Sequence, residues 1–341
     1  MNGYGGAERT LINLANELCN HNIEVYLVSV SNSKIEYKLN SNVKLLELNA
    51  NSILERYVKL KKVLLNNKIN VAINFWVQPT IFISKYANKK NIKLIYSERG
   101  DPTESEYNGV LGVLRALAFN KVDKFVFQTY KARECFDKSI QERSVIIHNP
   151  IYIETPKFDL KKAKNKIVTI GRLHKQKNQI QLLRVFKEIL KFYPEYELDI
   201  YGDGPLKNEL IEYCKMNEME EKVKFKGTVH NVLDRIKDSR MFVLTSRYEG
   251  MPNALLEAMA LGIPCISSNY SPKDSIYEFI EPYSSGLVYD LEDDNDLKQK
   301  ILDIIEDDKL TKKLSQNGAL IAEKNSKEII YEQWIKVIEN L

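Results

Sequence analysis

A chain of 341 residues exceeds what one ordinary hydrophobic core encloses, so two domains are expected. Hydrophobic content of 44% and charged content of 28% are those of a globular protein, and no run approaches the roughly eighteen apolar residues of a membrane-spanning helix. Net charge is only +4, and no nucleic-acid partner is expected, but the balance is uneven: residues 1–150 hold 21 Lys and Arg against 14 Asp and Glu. A basic first half suits anionic lipid or a phosphate-bearing partner as well as it suits an ordinary solvated surface.

The opening residues Met1 to Gly6 have neither a basic nor an apolar region, so no signal peptide is expected. Gly5 and Gly6, in Gly3-Tyr4-Gly5-Gly6-Ala7-Glu8-Arg9, lead into a helix with Leu11, Leu14, Ala15 and Leu18 on one face; a glycine loop entering a helix suits phosphate or sugar approach. Apolar runs at 24–30, 43–48, 71–75, 93–96, 124–128 and 144–148 follow as candidate strands, separated by amphipathic stretches. They are rich in Val, Ile, Phe and Tyr without clean alternation, which is the pattern of parallel strands buried on both faces. The fourth runs into Glu98-Arg99-Gly100-Asp101-Pro102; Glu98, Arg99 and Asp101 suit the orientation of a hydroxyl or phosphate partner, and equally a turn with a structural ion pair.

Asn149-Pro150, Pro156 and the Lys-rich 157–166 stretch separate this series from a second one, with strands expected at 166–170, 197–201, 223–226, 241–244, 264–267 and 286–288. Alternating strands and helices predict parallel, doubly wound sheets, in which ligands bind beyond the carboxyl ends of the strands. Four such ends stand out. After 166–170 comes Gly171-Arg172-Leu173-His174-Lys175-Gln176-Lys177-Asn178, where Gly171 permits a sharp turn and Arg172 and Lys177 suit a diphosphate. After 197–201 comes Gly202-Asp203-Gly204-Pro205, and after 223–226 the backbone near Val229. After 241–244 come Glu249 and, inside a helix framed by Pro252 and Gly262, Glu257. The first-turn N–H groups at Asn253 and Ala254 suit an anion, with a carboxylate on each side. A helix expected at 331–338 carries Trp334, for which packing is a sufficient account. The four cysteines (Cys19, Cys135, Cys214, Cys265) and four histidines are scattered, so buried free thiols and no metal site are expected.

Together the Gly171-Arg172-Leu173…Lys177-Asn178 loop, the Gly-Asp-Gly-Pro turn and the Glu249-x7-Glu257 block resemble glycosyltransferase family 4, retaining enzymes of the GT-B fold. The resemblance implies two Rossmann-like domains facing a cleft: 1–153 for the acceptor, 154–325 for a nucleotide sugar, and a last helix at 326–341 returning to the first domain. It implies that Arg172 and Lys177 hold the donor diphosphate and that Glu257 takes the ribose hydroxyls. Glu249 would lie beside the transferring sugar, the chain at Val229 would flank the base, and the backbone of Gly5, Gly6, Gly171 and Gly202 would approach the donor. No cofactor or metal is implied. The Glu98–Pro102 stretch is similar to that of members that build surface polysaccharides, which implies a UDP-linked donor, a saccharide or polyprenyl-diphosphate-linked acceptor, and a cytoplasmic site at the inner face of the plasma membrane, with peripheral contact to anionic lipid. The sequence departs from the family in starting at the Gly-Gly loop, so the first strand of the N-terminal sheet is expected to be missing. A silent nucleotide-sugar-binding partner subunit, another GT-B enzyme such as an epimerase, and, ranked last, a dinucleotide oxidoreductase stay open as alternatives.

Overall fold

The computed structural model describes residues 6–30, 37–100, 102, 109–153, 158–271 and 274–341. Each expected apolar run forms a strand: β1 (Tyr26–Ser29), β2 (Lys44–Glu47), β3 (Val71–Asn74), β4 (Lys93–Ser97), β5 (Lys124–Phe127), β6 (Ser144–Ile146), β7 (Lys164–Ile170), β8 (Glu197–Tyr201), β9 (Val223–Gly227), β10 (Ser239–Leu244), β11 (Cys265–Ser268) and β12 (Leu287–Tyr289). Within the sheets every pairing is parallel. The fold is α/β, as its alternating pattern requires.

The chain divides into two units, Met1–Pro150 with Lys327–Leu341, and Ile151–Ser326. The boundary therefore falls at Pro150, where the Ile151 N–H already bonds the Asn325 carbonyl at 2.8 Å within the second unit.

In the first unit β3-β4-β5-β6 form one sheet, and β1-β2 form a separate pair. A continuous doubly wound sheet would have a strand joining β1 to β3, and no described strand pairs with either there. Alternate residues of the four-stranded sheet face opposite ways. Leu94, Tyr96, Phe125 and Phe127 share a core with the helices Ile53–Asn66, Val77–Lys90 and Gly109–Phe119. Ile95 and Val126 pack instead with Leu14 and Leu18 of the helix Gly6–Asn20 and with Ile330, Tyr331 and Trp334 of the helix Lys327–Glu339. Trp334 is buried, and packing does account for it.

In the second unit the order is β12-β11-β10-β7-β8-β9, so strand order reverses between β7 and β10. One face is covered by Leu182, Leu183 and Phe186 of the helix Gln179–Leu190 and by Leu297 and Ile301 of the helix Asp294–Glu306. The other is covered by Leu255, Leu256 and Met259 of the helix Asn253–Ala260. All four cysteines are free, but only Cys214 and Cys265 are buried; Cys135 is exposed, and Cys19 is partly buried against the Ile12–Ala15–Leu27–Val43 cluster. Among the described residues no helix is long and apolar enough to cross a membrane.

Candidate active site

The reversal between β7 and β10 is the topological switch point, where a doubly wound sheet opens a crevice at its carboxyl edge. The Gly171–Asn178 loop leaves β7 there and the Thr245–Glu249 loop leaves β10 beside it. The two are laced together. Arg247 N donates to the Gln176 carbonyl at 2.7 Å, the Gln176 side-chain amide to the Tyr248 carbonyl at 2.9 Å, and Thr245 Oγ1 to the Lys177 carbonyl at 2.8 Å. A third loop joins them, since Glu249 N bonds the Ser271 carbonyl at 2.9 Å.

This lacing brings Lys177 and Glu249 into direct contact across 72 residues of sequence. The Lys177 ammonium donates to Glu249 Oε1, with side-chain exposures of 21% and 8%. Ser246 Oγ donates to the same oxygen at 2.6 Å, and no described residue bonds Oε2. Lysine has three N–H donors and one is engaged by Glu249, so two stay available to an anion. Arg172 lies on the same loop with an exposed side chain that makes no hydrogen bond or ion pair with a described residue. The site thus offers one held cation and one exposed cation without a described partner.

The glycines act through space as well as through turning. The chain bends at Gly171, outside the left-handed region, and a Cβ on it would come 3.2 Å from Lys177 Cδ. The missing side chain is where the Lys177 stem lies. Gly202, at φ +126°, could not carry a Cβ at all: it would sit 2.1 Å from the Gly171 carbonyl oxygen. Its close approach is to the protein's own backbone, so the turn after β8 buttresses the loop after β7. Asp203 completes that turn. The Lys207 ammonium, with the Gly204 N–H, holds its carboxyl below the usual carboxylate range.

Pro252 occupies the N-cap of the helix Asn253–Ala260 rather than its first position. Proline has no side-chain oxygen, so the cap supplies no acceptor to the first-turn N–H groups at Asn253 and Ala254. Glu257 lies on the second turn of this helix, partly buried, and Val229 packs its side chain against the Leu255–Leu256 core. Ser246, Thr245 and Gln176 position the site and were not singled out from sequence; hydroxyls three and four residues before the glutamate are the one signal for the first two.

In the first unit Glu98 and Arg99 are engaged internally. Tyr96 Oη donates to Glu98 Oε2 at 2.8 Å, and the Arg99 and Gly100 N–H groups to Oε1 at 3.0 and 3.1 Å. Arg99 Nη1 donates to Asn149 Oδ1 at 2.7 Å, and its guanidinium stacks 4.3 Å from the Phe75 ring centroid and 5.7 Å from that of Trp334. Among the described residues its partners are thus an amide and two rings rather than a carboxylate. Gly6 is the first residue of the helix Gly6–Asn20. Gly5 and Asp101 lie outside the described residues.

Two units built on parallel sheets of this kind place the chain in the GT-B class of α/β proteins. Residues 4–155 match the model for Glycosyltransferase Family 4, and residues 153–320 match that for Glycosyl transferases group 1; the chain belongs to these glycosyltransferases. A GalNAc-alpha-(1->4)-GalNAc-alpha-(1->3)-diNAcBac-PP-undecaprenol alpha-1,4-N-acetyl-D-galactosaminyltransferase of Campylobacter jejuni is 28% identical, over 98% of this chain and 95% of its own. The same organism's N-acetylgalactosamine-N,N'-diacetylbacillosaminyl-diphospho-undecaprenol 4-alpha-N-acetylgalactosaminyltransferase is 26% identical, over 91% of this chain and 89% of its own. The Anabaena protein Alr3699/HepE, solved in complex with UDP, shares the fold with a TM-score of 0.83 at 16% identity, covering 100% of this chain and 98% of its own.

Proposed function

We propose that the chain moves a hexosyl unit, with retention and without a metal ion, from a UDP-sugar to a saccharide or polyprenyl-diphosphate-linked saccharide at the inner face of the plasma membrane. The observation that carries this is the Lys177–Glu249 pair at the switch point, with Arg172 exposed on the same loop. The activities named for the two Campylobacter relatives, both on undecaprenol-diphosphate-linked saccharides, favour the acceptor class. The UDP held by the Anabaena neighbour favours the donor base.

In this reading Glu249 Oε1 fixes the Lys177 ammonium while its remaining donors face the diphosphate. Arg172 closes on the same group, and the helix start at Asn253 and Ala254 adds the helix dipole. These three charges take the place a divalent cation would fill. Glu257 accepts from the ribose diol, Glu249 Oε2 from the sugar, and the Val229 backbone flanks the base. The anomeric carbon loses its bond to the diphosphate oxygen as the acceptor oxygen bonds from the same face, and the acceptor's proton passes to that departing oxygen. No carboxylate nucleophile is needed.

The test is transfer and thermal shift with a panel of nucleotide sugars, in chelator. Arg172→Ala should lower turnover about a hundredfold or more, on the scale of removing one oxyanion donor, and Glu257→Ala should abolish the donor-induced rise in Tm. The product's anomeric configuration reads retention directly. Both variants transferring and binding like wild type would remove the assignment, and full loss of activity in chelator would remove the metal-free mechanism.

A further inference from the structure

We propose that Gln181, whose side chain bonds neither Lys177 nor Arg172, is a positioning residue for the Lys177 ammonium and acts through Asn178. The proposal rests on the reading above for what the ammonium holds, a donor diphosphate, and stands apart from it for how the ammonium is placed.

Lys177 ends a short 3-10 turn, Lys175–Lys177, and the helix Gln179–Leu190 starts two residues later. Asn178 joins the two in the left-handed region, at φ +51°. Asparagine tolerates that region better than most side chains, yet at a cost that its surroundings have to offset. An asparagine at a helix start ordinarily turns its side-chain oxygen to the first-turn N–H groups, and this one makes no such bond. Its amide is engaged elsewhere: Nδ2 donates to Gln181 Oε1 at 2.9 Å, and Oδ1 faces Arg247 Nη2 at 3.5 Å. A local rule set aside at the edge of a site marks a second demand on the residue.

Gln181 meets that demand with its whole hydrogen-bonding capacity. It is buried on the first turn of the helix. Oε1 accepts from Asn178 and from Tyr289 Oη at 2.9 Å; Nε2 donates to the Leu291 carbonyl at 2.7 Å and to Asp294 Oδ1 at 3.0 Å. Two acceptor sites and two N–H groups are all that an amide has. The partners also fix which way it points. Arg184 clasps Asp294 through Nε and Nη2, at 2.8 and 3.0 Å, and holds its carboxyl below the usual carboxylate range. Burial pushes the Tyr289 phenol above its ordinary value, so it stays a donor. Turned over, the Gln181 amide would set its oxygen against a carbonyl and a carboxylate, and its N–H groups against two donors. Asn178 therefore meets a fixed acceptor, and the backbone on either side is fixed with it. On the Lys177 side the carbonyl takes Thr245 Oγ1 at 2.8 Å and the ammonium reaches Glu249. A displacement of about one ångström is enough to cost such a contact much of its value.

The experiment compares Gln181→Met, which keeps the length of the side chain and removes the amide, with the same change combined with Asn178→Gly. Glycine takes the left-handed region freely and leaves no amide in want of an acceptor. Two quantities are read in the full-length protein: the Kd for UDP, and the rate at which reductive methylation labels Lys177, followed by peptide mass spectrometry. Gln181→Met should weaken UDP about tenfold and speed Lys177 labelling severalfold. The combined variant should return both to within about threefold of Asn178→Gly alone. Lys207, paired with Asp203 at 2.7 Å, is the internal control and should label at its wild-type rate throughout. Should Gln181→Met not fold, Tyr289→Phe takes its place, because it removes one O–H from the network, keeps the ring and should give the same pattern at about threefold. A wild type that does not bind UDP would sink the donor reading, and the labelling comparison would still decide the placement. Wild-type values for both quantities in Gln181→Met would overturn the proposal. So would losses that Asn178→Gly does not relieve, or Lys207 labelling that rises alike, since Gln181 would then serve helix packing alone. Faster Lys177 labelling with UDP affinity unchanged would overturn it too, because the ammonium would be placed for something other than the diphosphate.

Discussion

Gly202 shows how much of the site is decided by a missing methyl group. Its φ of +126° is strained for any L side chain, and an added Cβ meets the Gly171 carbonyl at 2.1 Å, a backbone atom that cannot rotate away. Gly227 provides a contrast, because its φ is +67° but nothing lies within 4 Å of an added Cβ. Gly202→Ala should therefore destabilise the second unit by at least about 2 kcal/mol, whereas Gly227→Ala should cost about 1 kcal/mol of dihedral strain alone. In a unit of this size those losses correspond to drops in Tm of roughly 4–8 °C and 2–4 °C. Equal, small shifts in thermal scans of the two variants would mean that the Gly171 loop yields, and the buttress would lose its meaning. The glycine itself was plain in the sequence. Its reason was not: nothing in Gly-Asp-Gly-Pro says that the space is taken by Gly171 rather than by a ligand. The Lys177–Glu249 pair was equally illegible, because its two residues meet only once β7 and β10 are neighbours.

At the scale of elements, the twelve strands were legible because Val, Ile, Phe and Tyr runs buried on both faces have few other ways to satisfy backbone and side chain together. The separation of β1-β2 from β3–β6 is the gap that the expected missing first strand would leave, although the pairing of each strand is written in no single segment. Arg99 belongs to this scale too. Its burial depends on the helix Lys327–Glu339, which reaches it from the far end of the chain with Trp334. Burial pulls the guanidinium's pKa down to about 9, against the opposing pull of Glu98 and Tyr331, and its Nε and Nη2 have no hydrogen-bond partner. A cation whose folded pKa lies below its ordinary value is held at a cost that is present in full below pH 9 and fades as pH rises beyond it. Arg99→Met leaves an unbranched apolar side chain beside Phe75 and removes the charge, so at pH 7 its Tm should equal or exceed that of wild type if the burial cost outweighs the stacking, and the gap should narrow by pH 10. Arg99→Ala, which also loses the packing, should fall by about 2 kcal/mol or more. If methionine proves as damaging as alanine, the guanidinium's stacking and its bond to Asn149 outweigh the cost of its burial. If Tm holds but the acceptor KM rises, the acceptor role expected from sequence is restored.

For the whole molecule, two units with separate cores divide the work unequally. Every side chain proposed to bind the donor, from Arg172 and Lys177 to Glu249 and Glu257, lies in the Ile151–Ser326 unit. A ligand that binds only the folded state of that unit stabilises it by about 2.7 kcal/mol at a hundredfold excess over Kd. Amide exchange should therefore slow with a UDP-sugar in the loops 171–178, 202–206 and 245–253 and along the strands β7 and β10 that carry them. Amides of β3 to β6 should exchange at their unliganded rate. The amides at the start of the helix Gly6–Asn20 decide the remaining question. Slowing there, together with the second-unit loops, would mean that the glycine loop of the first unit also closes on the donor, as its resemblance implies. Unchanged exchange there would confine donor recognition to the second unit and leave the first for the acceptor. Uniform slowing across β3 to β6 would contradict the division of labour itself, because the donor would then stabilise both cores as one.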